Sequence, residues 1–97
     1  MQVTVRFFTV LREITGKKDQ TLQFEQNESI TILKVLNFLA SNYGKKFSDY
    51  VFDTKTGTVK GFLQFFINGQ SSTALKGIDT ELKDEDMLAI VPPVGGG

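Results

Sequence analysis

The sequence contains neither cysteine nor histidine. Without thiols it has no disulfide and no thiolate metal site. Without imidazole it has no Ser-His or Cys-His nucleophilic pair and no histidine-held zinc within the chain. An excess of charge of one sign is also missing: 11 basic residues balance 11 acidic ones, so no global field draws the protein to nucleic acid or to an anionic membrane. No apolar run approaches the length of a membrane span. The opening Met1-Gln-Val-Thr-Val-Arg-Phe-Phe8 lacks the basic region and long apolar stretch of a secretion signal. Internal repeats, low-complexity tracts and interdomain linkers are absent as well. At 97 residues one domain with a modest core is expected, small for an enzyme with an internal active site. A soluble cytoplasmic protein is the expectation.

What is present is strongly patterned. Val3, Val5 and Phe7 alternate with Thr4 and Arg6, the period of a half-buried strand. Phe8 falls on the face of Thr4 and Arg6, either under a loop or in an exposed contact patch. Val10 to Ile14 reads as a short helical turn ended by Gly16. Leu22 and Phe24 then suggest a second strand, antiparallel to the first because the link is short. Ser29 or Thr31 is a candidate N-cap. Ile32, Val35, Leu36, Leu39 and Tyr43 form one apolar helical face, ended by Gly44 with Lys45 and Lys46 near its negative end. Phe47 to Phe52 adds a helical turn whose aromatics are expected at the rim of the core. Phe62 to Ile67 is an aromatic strand closed by the hairpin dipeptide Asn68-Gly69. Leu75, Ile78 and Leu82 are irregularly spaced, as in a loop. The acidic run Asp79, Glu81, Asp84, Glu85 and Asp86 reads first as a solvated loop and second as a steering patch for a basic partner; its spacing is too irregular for calcium. Met87 to Val91 is a buried final strand, with Leu88 and Ile90 on one face and Met87, Ala89 and Val91 on the other.

One helix over one face of a small mixed sheet is an α+β solution. With antiparallel outer pairs and the first and last strands side by side and parallel, it is the ubiquitin-like β-grasp, four to five strands on one main helix. The expected division is a body, residues 1–91, and a flexible glycine tail, 92–97. Pro92 and Pro93 stop the last strand, having no N–H for a ladder. Val94, Gly95, Gly96 and Gly97 follow. Six residues reach roughly 20 Å when extended, and three glycines suit a channel too narrow for side chains. A frayed terminus is the ordinary reading of such an ending; a terminal carboxylate presented on a slim arm is the sharper one.

Three stretches resemble a known family, the MoaD-type sulfur carriers and ubiquitin-related modifiers, with ThiS as a shorter relative. Phe7-Phe8-Thr9-Val10-Leu11-Arg12-Glu13 is similar to the family's Phe-Phe-Ala-x-x-Arg-Glu, and Phe66-Ile67-Asn68-Gly69 to its Val-Asn-Gly hairpin. Leu82-Lys-Asp-Glu-Asp86 with Ala89-Ile-Val-Pro-Pro-Val-Gly-Gly-Gly97 is similar to its Leu-x-Asp-Gly-Asp and Pro-Pro-Val-x-Gly-Gly ending. Glu85 stands where the family usually has glycine, which predicts a different backbone conformation in that turn. Gly95 stands where the family often has a bulkier residue, so the working terminus is Gly97 or, after trimming, Gly96.

The resemblance implies a carrier rather than an enzyme. An ATP- and magnesium-using activating enzyme (MoeB-like) would adenylate Gly97, and sulfur transfer would leave a thiocarboxylate. The tail, Pro92, Pro93, Val94, Gly95 and Gly96, would then enter a molybdopterin synthase large subunit (MoaE-like). No bound cofactor, metal, nucleic acid or membrane is implied. Conjugation to protein lysines and tRNA thiolation share the activation step, and a non-covalent β-grasp module is the alternative of another class. Phe8, Phe66 and Val91, on the strand sides away from the core, are the expected partner-binding residues.

Overall fold

The computed structural model describes residues 1–93. In chain order the elements are β1 (Gln2–Phe7), α1 (Val10–Thr15), β2 (Asp19–Gln23), α2 (Ile32–Tyr43), α3 (Lys45–Val51), β3 (Gln64–Ile67), β4 (Gln70–Ser71) and β5 (Met87–Val91). Two 3₁₀ turns, Ser72–Ala74 and Gly77–Asp79, lie between β4 and β5. The strands form one mixed sheet in the order β2-β1-β5-β3-β4. β1 and β5 run parallel, while β1–β2, β3–β5 and β3–β4 are antiparallel. This is the expected α+β grasp, with a short fifth strand completing the hairpin after Ile67.

Alternation sorts the sheet into two faces. Val3, Val5, Phe7, Leu22, Phe65, Ile67, Leu88 and Ile90 are buried on the helix side. Ile32, Val35, Leu36 and Leu39 of α2 meet them and are fully buried. Each such aliphatic side chain contributes roughly 1.5–3 kcal/mol on leaving water, so this face decides the register. Thr31 is the N-cap: its hydroxyl accepts the Lys34 N–H at 3.1 Å. No helix among the described residues is long and apolar enough to cross a membrane.

Several local expectations change. The strand expected from Phe62 begins at Gln64, because a turn bonding the Leu63 N–H to the Lys60 carbonyl (3.3 Å) precedes it. Phe62 is left 45% exposed, packed on Tyr50 with ring centroids 5.8 Å apart. The helical turn expected at Phe47 is the longer α3, with Lys45 and Lys46 starting it rather than trailing α2. Phe47 is not at the rim: it is fully buried and stacks on Tyr43 at 6.0 Å.

The acidic run is more than a solvated loop. Asp84 accepts the Gln2 N–H at 2.8 Å. Asp86 accepts the Lys83 N–H at 2.7 Å and the Asn68 side-chain amide at 2.9 Å. Asn68 Oδ1 in turn accepts the Met87 N–H at 2.9 Å. These carboxylates therefore tie the start of β5 to β1 and to the hairpin. Asn68 (φ 51°) and Gly69 (φ 86°) both take the positive φ of a type I′ turn.

Glu85 stands where the resemblance sets glycine. Its φ is +71°, in the left-handed region that glycine enters freely, and its N–H donates to Gln2 O at 2.8 Å. The sheet requires that geometry, and glutamate adopts it at a cost of about 1–2 kcal/mol. Glu85→Gly is accordingly expected to raise the urea midpoint by an amount equivalent to about 1 kcal/mol, after the larger unfolded-state entropy of glycine is deducted. An unchanged or lower midpoint would show that Glu85 makes a compensating interaction.

Candidate functional site: the open sheet face and the base of the tail

β5 lies in the middle of the sheet, so the chain leaves it between two bonded neighbours. On the face away from the helices it carries Met87, Ala89 and Val91. The register places Thr4 beside Met87 and Arg6 beside Ala89 on the β1 side. On the β3 side it places Phe66 beside Ala89 and Gln64 beside Val91. Met87 is 38% exposed; Ala89, Val91 and Phe66 are half-buried, and Arg6 and Gln64 are exposed. The result is an apolar strip with a polar rim, the layout of a docking surface rather than of a catalytic cleft. Phe66 also lines a groove of about 360 Å³ with Gly61, Leu63, Ser71, Ser72 and Thr73.

Phe8 follows β1 directly, where the chain turns sharply. The Leu11 N–H donates to Phe8 O at 3.0 Å, and Thr9 between them sits at φ 48°. Arg12 holds this corner twice. Its Nε donates to Phe7 O at 3.0 Å, and its guanidinium lies 5.7 Å from the centroid of the Phe8 ring. Phe8 is half-buried as a result. The spacing Phe7-Phe8-x-x-x-Arg12 thus has a mechanical reason: one turn of helix returns the guanidinium to the end of the strand.

All three expected docking residues lie on or beside this face. Phe66 and Val91 occupy neighbouring strands two rungs apart, and Phe8 extends β1 past Phe7, whose partner is Ile90. Pro92 is buried and Pro93 exposed. The remaining expected site residues, Val94, Gly95, Gly96 and Gly97, lie outside the described residues. Sequence reasoning left out Met87, Ala89, Arg6 and Arg12. The first two were signalled by the same alternation that selected Val91, and Arg12 by its place in the motif.

Among the described residues three groups have displaced pKa values, and none lies on the strip. The short side-chain hydrogen bond and ion pair to Lys34 hold Glu28 low. Burial pushes Tyr50 up. The Asp53 carboxylate accepts the N–H groups of Lys55 (2.8 Å) and Thr56 (3.2 Å), which hold it below the usual carboxylate value. Because that pKa is depressed on folding, its contribution is complete above the ordinary carboxylate value and disappears as pH falls through the lowered one. Asp53→Asn is therefore expected to lose stability at neutral pH and to show a shallower decline below about pH 4. Melting curves across pH for both proteins check this, and parallel acid limbs would contradict it.

The fold and this face define a class: the ubiquitin-like β-grasp proteins. The solution structure of small archaeal modifier protein 1 from Methanosarcina acetivorans superposes with a TM-score of 0.83 at 31% identity, covering 99% of this chain and 96% of that one. The sequence profile of the ThiS family matches residues 5–97, and the chain belongs to that family. Small archaeal modifier protein 3 of Haloferax volcanii is 31% identical over 97 residues, all of both chains. A putative sulfur carrier protein of Archaeoglobus fulgidus is 29% identical over 70 residues, 72% of this chain and 77% of that one. The protein is thus a small ubiquitin-like member of the sulfur-carrier and modifier family.

Proposed function

We propose that this protein is a sulfur carrier whose Gly97 carboxylate is adenylated and converted to a thiocarboxylate. The observation that carries the reading is that the sequence of the glycine-rich ending follows the central strand β5, whose open face carries the apolar strip. The chain has no cysteine or histidine to perform covalent chemistry; its part is to present a carboxylate. That carboxylate would attack the α-phosphate of ATP on an activating enzyme that binds magnesium, expelling pyrophosphate. A sulfur nucleophile from a persulfide donor would then displace AMP, and reductive cleavage of the resulting S–S bond by a thiol would leave the thiocarboxylate.

Phe8, Phe66 and Val91 dock the partner in this reading, while Pro92, Pro93, Val94, Gly95 and Gly96 lead the reacting carbon into its channel. Two prolines limit the entropy lost on insertion. The length of the chain and its Phe7-Phe8 start favour a molybdopterin synthase large subunit in the cytoplasm as the acceptor. A second reading, conjugation of Gly97 to lysines, is favoured by the 31% identical modifier protein.

Intact mass after incubation with a competent activating enzyme, ATP and a sulfur donor tests the shared step. The expected gain equals replacement of one oxygen by sulfur, and a Gly97-deleted chain shows none. Adding the molybdopterin precursor with the large subunit, or lysine-bearing proteins, then separates the two destinations. An unchanged mass with an enzyme shown to be active on another carrier would leave a non-covalent module.

A further inference from the structure

Among the described residues β2 is an end strand of the sheet, bonded to β1 alone. The phase of its hydrogen bonds is set at both ends. Phe24 and Met1 exchange bonds of 2.8 and 3.0 Å, and the Phe7 N–H donates to Lys18 O at 2.8 Å. In an antiparallel ladder the bonded pairs alternate, so residues 18, 20, 22 and 24 face β1. Asp19, Thr21 and Gln23 therefore direct their N–H and C=O groups off the edge, and all three are exposed.

About Thr21, one pair of positions along this edge is complementary in charge, Lys17 and Glu25, while Asp19 is opposite the uncharged Gln23. Lys17 and Lys18 stand at one end and Glu25 and Glu28 at the other. Beside the acidic end is a groove of about 690 Å³ between β2 and α2, lined by Phe24, Phe38, Glu25, Glu28 and Lys34. Its floor is an edge-to-face aromatic pair, Phe24 and Phe38, 5.5 Å apart, and Phe38 is 39% exposed. Lys34 within the groove already pairs with Glu28, so an incoming lysine would lay its stem over the rings and bring its head to Glu25.

We propose that the free edge of β2 docks a second copy of this chain, strand to strand and antiparallel about Thr21. A two-fold axis at Thr21 sets the outward backbone groups of Thr21 against their equivalents. It sets those of Asp19 against Gln23 and those of Gln23 against Asp19. The Lys17-Lys18 end of each copy then lies over the Glu25–Glu28 end of the other, with Lys18 at the aromatic groove. The contact joins two sheets into one and satisfies every outward bond of β2. Thr–Thr is a favourable cross-strand pair, and the absence of net charge removes long-range repulsion between copies. β1 separates β2 from β5, so both docking strips stay open in the pair.

Sedimentation velocity on the full chain, from about 10 μM to about 1 mM, spans the range expected of so small an interface. The mass should rise from 10.8 kDa towards twice that value, less so at high salt. Thr21→Pro removes an outward N–H without touching the β1 ladder, and should hold the chain monomeric with its melting cooperativity kept. Lys17→Glu and Glu25→Lys should each weaken association about tenfold or more by placing like charges together. Combined in one chain, they should restore it. A monomer throughout the range overturns the proposal. So does a dimer that neither Thr21→Pro nor the charge exchange affects, since pairing would then use β4 or the β5 strip.

Discussion

Phe47→Ala is expected to lower the unfolding free energy by about 3–5 kcal/mol. Phe47 is fully buried and packs between α3 and the ring of Tyr43, 6.0 Å away. Tyr43 also meets Phe7 edge-on at 6.2 Å. Removing the ring therefore opens a cavity where α2, α3 and β1 converge. For a domain whose total stability is about 5–15 kcal/mol, the loss is a third or more of the whole. Chemical denaturation of the two proteins measures it. A loss below about 1 kcal/mol would show that the junction repacks around the gap.

Phe66→Ser should act on partner recognition instead. Phe66 lies on the open face, half-buried, with Ala89 opposite on one side and Ser71 on the other. In the proposed reading Phe66 anchors the partner, and its removal is then expected to reduce kcat/KM for tail adenylation by roughly thirtyfold, equivalent to about 2 kcal/mol. The melting temperature should fall by only a few degrees, as suits a residue outside the core. Steady-state pyrophosphate release with the activating enzyme reads the first effect and calorimetry the second. Wild-type kcat/KM in Phe66→Ser would remove this residue from the interface and leave the strip to Met87 and Val91.

Periodicity made much of this legible beforehand. Ile32, Val35, Leu36 and Leu39 define a helical face that no strand can display, and Val3, Val5 and Phe7 a strand face that no helix can. The same alternation placed Phe66 and Val91 on the open side. Where interactions are not periodic, the sequence spoke less clearly. Phe47 follows a helix-ending glycine, and nothing local distinguishes a rim aromatic from one that turns into the core. Asp84 and Asp86 look like solvated charge because their partners, Gln2 and Asn68, are distant along the chain. Glu85 follows the same rule. Residue type suggested its backbone angle, whereas the fold sets it, through the bond from Glu85 N–H to Gln2 O. Arg12 was visible as part of a motif, but its grip on Phe7 and Phe8 required coordinates.

The central parallel pair also determines how the molecule bears load. Gly97 follows β5, and β5 is bonded along both edges, to β1 and to β3. Tension applied at the tail and resisted at Met1 pulls two parallel neighbours along their length in opposite directions. The β1–β5 bonds are then sheared together instead of opening one by one, and the β3 ladder shares the force. A chain seized by its glycine end and drawn into a narrow pore would meet its greatest resistance at the first strand encountered. Pulled apart across β2, by contrast, the sheet would unzip from its edge. The end that the proposed chemistry would engage is thus the end at which the ladder resists in shear.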